Sequence, residues 1–567
     1  MHFATKVTPM KYISVLIIVF SLFVLHVQAQ TTAPQTLRSL PQGELIGFIE
    51  DNGAHVWRGV PFAADTGGEN RWRAPQAAPS WDGVRAGLEF GPHCPQIVTE
   101  FTQEEGDYEN GDVLGDEACL NLDIYTPPNL GPDANLPIMV WIHGGSNVSG
   151  SSKSYSGHKF AVNENVIIIS VQYRLGPLGW FSHPALRNSA QSPEDKAANF
   201  AILDLIAALK WLKTNGSTFG GDPDNVTIFG ESAGAHNVAA LMASPLAKGL
   251  FHKAIMQSGF FDSLTIEAAE GRQADEPNPS FKIAQRLGGP DAFRTVPLEE
   301  VFAAYELDDS GSLDLPRMIE DGVTLAQRPM EESFKDTENF NAVPLITGVN
   351  RDEMKLFQAL DPKFTRRLFG LFYTIRDTGF YNASSEYGSR RWRVRAIDLP
   401  AKRMVAAGHD QVYAYRFDWD VGGQAFWTNF KKLLGAAHAI EIPFVFNRFV
   451  LLGQADKYMF NNKTAQERET LSRAMGRYWA NFARTSVPSY KNGPVWPKVL
   501  SDQTPGLLRF DGASDGGIEI ITDSESHEAI LDDLLRDTRI NERERCVLIA
   551  AHAVYMPEAR DKTECPV

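Results

Sequence analysis

Apolar residues in the middle of this chain fall into short unbroken runs, separated by longer stretches with helical spacing. Pro137-Ile-Met-Val-Trp-Ile-His143 and Val166-Ile-Ile-Ile-Ser-Val-Gln-Tyr173 show no polar alternation. They read as strands buried on both faces. Asn199–Lys213 then places Ile202, Leu205, Ile206, Leu209 and Leu212 on one helical stripe. The sequence predicts further strands at Val226–Phe229, Lys253–Gln257, Val343–Val349 and Val412–Phe417, and a helix over Ala233–Ala243. Continuous apolar strands separated by helices predict an α/β fold, a mostly parallel sheet covered on both faces. Reactive groups in such sheets gather beyond the carboxyl ends of the strands. Residues at about 260–340 and 360–405 show no such pattern and are expected to be irregular cap or gorge-wall segments.

One stretch sits where that rule directs attention. Phe229-Gly-Glu-Ser-Ala-Gly-Ala-His-Asn237 follows a strand and opens a helix. A serine between two glycines at such a junction fits a nucleophile elbow, whose glycines make room for a strained turn. The helix amino terminus behind Ser232 favours negative charge developing there. A serine hydroxyl needs a base, and the base needs an orienting acid, in the chain order Ser, Asp/Glu, His. Glu353 stands just beyond the predicted strand ending at Val349, and His438 lies in the small-residue loop Gly435–Glu441. Spacing alone leaves Asp352 open beside Glu353.

Composition narrows the remaining classes. The 567 residues carry 54 Lys+Arg against 70 Asp+Glu, a formal charge of −16. No basic run of the kind that grips phosphates is present, so nucleic acid is not an expected partner. Lys6 and Lys11 precede the apolar run Tyr12–Val27, which ends in Val27-Gln28-Ala29. This reads as a signal peptide over 1–29, cleaved after Ala29, with a single domain over 30–567. The expected location is extracellular, or periplasmic in a Gram-negative host, with no stable membrane insertion after cleavage. Four cysteines behind such a signal suggest two disulfides, and proximity favours Cys94–Cys119 and Cys546–Cys565. Their spacing matches no zinc pattern, and no metal or cofactor is expected. Asn-x-Ser/Thr sites stand at Asn147, Asn215, Asn225, Asn382 and Asn462.

Several motifs in order give the chain a family resemblance. Arg58-Gly-Val-Pro-Phe-Ala63, Arg71-Trp-Arg-Ala-Pro75, Phe90-Gly-Pro-His-Cys94 and Cys119-Leu-Asn-Leu-Asp-Ile-Tyr125 come first. Trp141-Ile-His-Gly-Gly145, Tyr173-Arg-Leu-Gly-Pro-Leu-Gly179, Phe219-Gly-Gly-Asp-Pro223 and Phe229-Gly-Glu-Ser-Ala-Gly234 follow. Gln257-Ser-Gly259, Asn350-Arg-Asp-Glu353, His438 with Glu441, and Tyr478-Trp-Ala-Asn-Phe-Ala483 complete the series. The chain resembles the type B carboxylesterases, the cholinesterase-like α/β-hydrolases, over nearly everything after the signal.

The resemblance implies Ser232 as nucleophile, His438 as general base and acid, and Glu353 as orienting acid. It implies Glu231 and Glu441 as nearby buried carboxylates and Ser258 as a support behind the site. Oxyanion donors would be the backbone N–H groups of Gly145, Ser146 and Ala233, and Cys94–Cys119 would close the loop at the gorge entrance. Two positions depart from the pattern. Ser146 replaces a third glycine and Asn147 an aromatic residue. If position 146 needs a positive φ, serine there is strained, but its N–H is retained.

The loop between Cys94 and Cys119 lacks the tryptophan with which cholinesterases hold a quaternary ammonium, and Tyr108 is its only tyrosine. It carries Glu100, Glu104, Glu105, Asp107, Glu109, Asp112, Asp116 and Glu117, expected as a solvated acidic face. That face does not suit an apolar interfacial lid. The expectation is therefore a secreted serine carboxylesterase acting on soluble, small-molecule esters. The alternatives are a lipase or specialised detoxifying esterase of the same fold and, in another class, a catalytically silent adhesion or binding protein.

Overall fold

The computed structural model describes residues 30–562 and 565, apart from 100–107, 273–277, 308–312, 314–317, 369–371 and 501–505. The expected signal peptide, and Glu100, Glu104, Glu105 and Asp107, lie outside the described residues. Thr32–Val567 form one compact unit.

Its centre is an eleven-stranded sheet. In chain order the strands are β1 (Phe48–Ile49), β2 (His55–Pro61), β3 (Asn121–Thr126), β4 (Leu136–Ile142), β5 (Ile167–Val171), β6 (Gly221–Glu231), β7 (Lys253–Gln257), β8 (Leu345–Asn350), β9 (Val412–Phe417), β10 (Gly506–Phe510) and β11 (Glu519–Thr522). In space they run β11-β10-β9-β8-β7-β6-β4-β5-β3-β2-β1. Seven central strands, β5 through β10 in this spatial order, are parallel; the outer pairs are antiparallel.

The unbroken apolar runs have a simple cause. Alternate side chains of each strand enter opposite cores. Ile138, Val140 and Ile142 of β4 face one core with Ile202, Leu205 and Leu209 of helix α1 (Phe200–Asn215). Met139 and Trp141 face the other, with Phe229, Phe446 and Trp479. Helix α2 (Ala233–Ala243) is nearly all buried, and its alanines let it lie close against the sheet.

Register brings the strand ends level. Ile142 pairs with Gly230, Glu231 with Gln257, and Gln257 with Gly348. The residues that follow therefore emerge side by side at one edge: the 143–150 loop, Ser232, Ser258 and the turn at 351–354.

The 360–405 region is not irregular as expected. It holds helix α4 (Thr378–Arg393), which continues through a π-turn at Val394–Asp398 into the helix Leu399–Ala406. It is preceded by the short α3 (Lys355–Leu360). The α4 sequence is rich in Ser, Gly and aromatic residues, so intrinsic propensity is poor. Packing overrides it: Ala383, Tyr387 and Val394 bury against Ile530, Leu531, Leu534, Leu548 and Ile549. Those belong to α6 (His527–Arg536) and α7 (Glu542–His552), which come after α5 (Ala465–Thr485). The described residues of 260–340 form short helices and one two-residue strand pair, in keeping with the weak pattern.

Both favoured disulfides are present, Cys94–Cys119 and Cys546–Cys565. Of the described acidic residues in the first loop, Glu109, Asp112 and Asp116 are exposed, as a solvated face requires. Glu117 differs. It makes a two-pronged ion pair with Arg71, at 2.7 and 2.5 Å, and Arg71 also reaches the carbonyls of Phe293 and Val296. Among the described residues no helix is long and apolar enough to cross a membrane.

Candidate active site

Ser232 occupies the bend between β6 and α2 at φ 56°, ψ −124°, a conformation costly for any residue but glycine. The glycines around it are explained by close approach. A Cβ on Gly234 would meet the carbonyl oxygen of Ile142 at 2.0 Å, and one on Gly230 would meet it at 2.6 Å. The turn is pinned by the Ser232 N–H donating to Gln257 O (2.8 Å) and the His236 N–H donating to Ser232 O (3.0 Å).

The loop after β4 lies directly over this bend. A Cβ on Gly144 would stand 3.2 Å from Ser232 Cβ and 2.8 Å from Glu231 Oε2. Gly145 has φ +101°, and the N–H groups of Val148 and Ser149 both donate to its carbonyl. Ser146 and Asn147 sit at φ 55° and 61°, so the serine is in the left-handed region. No protein acceptor among the described residues takes the N–H groups of Gly145, Ser146 or Ala233. His143 fastens the loop from below through an Nδ1 contact with Gly144 O at 2.9 Å, its ring stacked on Tyr173. Burial drives the His143 imidazole down to about 4, so it stays neutral.

Asn147 has a partner that the sequence did not disclose. Its Nδ2 donates to Asn237 Oδ1 at 3.3 Å, and Asn237 Nδ2 donates back to Asn147 Oδ1 at 2.9 Å. The tyrosine hydroxyl of Tyr173 joins them at 3.4 Å. A polar pair thus fills the place of an aromatic ring, and the amide of Asn147 is engaged where a glycan would attach.

Asp352 and Glu353, adjacent in sequence, point different ways. Asp352 accepts from Arg351 and from the Ala436 N–H and pairs with Lys355. Glu353 is fully buried and reaches His438: Oε2 lies 2.6 Å from Nδ1. Its Oε1 accepts the Ser258 hydroxyl at 2.5 Å and the Asn350 N–H at 2.8 Å. Ser258, itself at φ 58°, is held by its N–H donating to Gly348 O and by Trp392 Nε1 donating to its carbonyl. Glu441 accepts Gln257 Nε2 (3.0 Å) and Asn350 Nδ2 (2.6 Å).

The other ring nitrogen of His438 faces Glu231, with Nε2 3.0 Å from Oε1. No hydrogen bond joins His438 to the Ser232 hydroxyl among the described residues. The imidazole is also walled by Phe357, at 5.2 Å, and Trp392, at 4.9 Å between ring centres. Electrostatics follow from three buried carboxylates around one imidazole. Burial opposes charge on His438, yet Glu231 and Glu353 outweigh it and lift the group to about 9. Burial pushes Glu231 up to about 8 against the pull of His438, with repulsion from Glu441 and Glu353 adding to the rise. Burial, then Glu353, also raises Glu441.

Ser232, Glu353, His438, Glu231, Ser258, Glu441 and the N–H groups of the 144–146 loop thus gather at one edge of the sheet, with Asn237, Gln257, Asn350, Phe357 and Trp392 added by the fold. Asn350 stands in the Asn-Arg-Asp-Glu motif, and Phe357 lies one helical turn beyond Glu353, so both had a signal. Trp392, in a stretch without periodicity, had none.

A parallel sheet with a strained serine bend, level strand ends and helices on both faces defines an α/β-hydrolase. Comparison narrows the class. The carboxylesterase family model matches residues 34–387 and 388–520. A human cocaine esterase is 32% identical over 527 residues, covering 85% of this chain and 89% of that protein. A para-nitrobenzyl esterase of Bacillus subtilis is 32% identical over 510 residues, covering 86% of this chain and 96% of that protein. A carboxylesterase of Geobacillus stearothermophilus, solved at pH 6.2, superposes with TM-score 0.68 at 28% identity, covering 86% and 98% of the two chains. The chain belongs to the carboxylesterase family and is a carboxylic ester hydrolase acting on small-molecule esters.

Proposed function

We propose that the protein is a secreted serine carboxylesterase of one domain, spanning 30–567 after removal of residues 1–29, with Ser232, His438 and Glu353 as its catalytic triad. The observation that carries this reading is the 2.6 Å contact between Glu353 and His438 beside the strained Ser232 bend, under N–H groups no protein acceptor claims. Two disulfides and the apolar leader support export.

On substrate binding, His438 Nε2 turns from Glu231 to the Ser232 hydroxyl, a hydrogen bond that tightens in the reacting complex. The hydroxyl oxygen attacks the ester carbonyl while Nε2 takes its proton. Charge on the carbonyl oxygen is met by the N–H groups of Gly145, Ser146 and Ala233, each donor worth about 3–4 kcal/mol. His438 returns the proton to the leaving alcohol. Water, deprotonated by the same nitrogen, then releases the acid and frees Ser232. Glu353 holds the imidazole tautomer, and Ser258 and Asn350 hold Glu353.

The test is labelling with a fluorophosphonate alongside hydrolysis of p-nitrophenyl esters from two to sixteen carbons. Wild type should label and turn over, and Ser232→Ala should do neither while keeping its melting temperature. Substantial hydrolysis by that variant would refute the assignment. A wild type that neither labels nor hydrolyses would instead favour a silent binding protein. The similarity to a cocaine esterase, with the aromatic wall of Phe357 and Trp392 beside His438, makes bulky aryl esters the first substrates to compare.

A further inference from the structure

Between Glu353 and His438 in the chain, two short antiparallel strand pairs meet and present aromatic rings to solvent. One pairs Thr365–Leu368 with Phe372–Ile375, the other Gln424–Ala425 with Thr428–Asn429. Thr428 stitches them: Tyr373 N–H donates to its hydroxyl at 2.9 Å, and the hydroxyl donates to Tyr373 O at 3.1 Å. At the tip, Phe426 is 68% and Trp427 59% exposed. Phe372 touches both, with ring centres 4.9 and 5.5 Å away. Phe426 also sits at φ 50°, where a bulky side chain is a rare outlier. Exposure and backbone strain both count against the fold, and strain of this kind gathers where a protein does something.

The charge around the tip is opposite to that of the chain. Residues 361–368, 372–376 and 424–432 contain Lys363, Arg366, Arg367, Arg376, Lys431 and Lys432 against the single acid Asp361, in a protein of net charge −16. All six cations are exposed; Lys431 pairs with Asp420, Arg376 donates to the Pro362 and Thr365 carbonyls, and Arg367 lies over the Tyr373 ring. The platform is also tied to the catalytic edge. The Thr365 hydroxyl donates to Ala359 O in α3, and α3 carries Phe357, 40% exposed, against the His438 ring.

We infer that this corner is a docking surface for an anionic lipid bilayer, with Trp427, Phe426 and Phe372 entering the head-group region and the surrounding Lys and Arg meeting its acidic lipids. Tryptophan and phenylalanine favour that depth, and cations beside them add attraction to an anionic leaflet. A second copy docked by two-fold symmetry is a poorer occupant, because it would bring two cationic faces together. The docking does not depend on the triad assignment. Its consequence for the esterase reading is that esters dissolved in a bilayer are met at the rim leading past Phe357, whereas soluble esters need no such contact.

The experiment is co-sedimentation of the purified full-length mature protein with vesicles of phosphatidylcholine alone or with about a third phosphatidylserine. Wild type should sediment with the anionic vesicles and be released by high salt, which screens exposed charges. The pair Arg366→Gln with Arg367→Gln should weaken that partition roughly thirtyfold, at about fivefold per charge. The pair Phe426→Gly with Trp427→Ser should weaken it about tenfold or more, and the glycine accepts the positive φ, so the variant folds. Both should keep wild-type turnover of p-nitrophenyl acetate, which separates failure of docking from failure of the active site. Absence of wild-type binding to anionic vesicles, undiminished binding by both variants, or a wild-type dimer that Trp427→Ser dissolves in sedimentation velocity would each overturn the inference.

Discussion

Replacing Glu231 by glutamine tests the electrostatics of the site most directly. The substitution keeps the shape and removes one charge 3.0 Å from His438 Nε2. At that distance Coulomb's law gives about 1 kcal/mol in a water-like dielectric and about 5 kcal/mol at an effective dielectric of about 20. One pKa unit corresponds to about 1.4 kcal/mol, so the carboxylate is worth between about one and four units to the imidazolium. Burial keeps Glu231 partly protonated, so the lower end is the expectation. The sign is fixed. In the proposed triad His438 must be neutral to accept the Ser232 proton, and a raised pKa delays neutrality to alkaline pH. The wild-type kcat/KM should therefore climb through the alkaline range. In Glu231→Gln the rising limb should move to lower pH by about one unit or more. The assay is kcat/KM for p-nitrophenyl acetate against pH, corrected for spontaneous hydrolysis. A limb that stays in place would show that Glu231 is neutral throughout and shares no proton with His438.

Ser232→Gly should lower kcat by about four orders of magnitude or more, yet raise the stability to denaturant by about 1 kcal/mol, because it relieves the positive-φ bend. Equal or lower stability would mean the bend carries no strain. Glu353→Gln should cost about 10⁴ in kcat with little change in melting, whereas Glu353→Ala should also destabilise by about 3 kcal/mol, since Ser258, Asn350 and His438 lose a buried acceptor; kinetics and denaturant titration separate the two. Ser146→Gly should leave kcat within about tenfold, because the N–H remains, and a gain of about 10²-fold or more would show that serine distorts the hole.

Much of this site was legible because its constraints act on the backbone. Gly230 and Gly234 flank Ser232 since the Ile142 carbonyl leaves no room for a side chain, and a glycine pattern is visible in sequence. The strands were legible because two cores demand apolar residues at every position. What resisted reading depends on where side chains meet. Asp352 and Glu353 share one turn, and only the fold sends one to Lys355 and the other to His438. Asn147 looked like a defect until Asn237, ninety residues on, supplied its partner. Helix α4 was hidden because its helicity comes from packing against α6 and α7, whose own position no local pattern announces.

The hydrogen-bond inventory explains which of the three carboxyls carries the surplus proton. A buried cluster of three carboxylates and one imidazole cannot be fully ionised at tolerable cost, so at least one acid is held partly neutral. Glu353 receives donors from Ser258, Asn350 and His438. Burial raises Glu441, but its donors Gln257 and Asn350 favour the charged form and offset part of that rise. Glu231 has only His438 at its Oε1, and no backbone or side-chain donor within hydrogen-bonding geometry there. The proton therefore goes to the Glu231–His438 pair, which titrates as one unit. In the proposed triad, this contact occupies the nitrogen that would otherwise meet the Ser232 hydroxyl. On the proposed mechanism, Glu353 fixes the direction in which His438 works, and Glu231 sets the pH at which that nitrogen becomes free to do so.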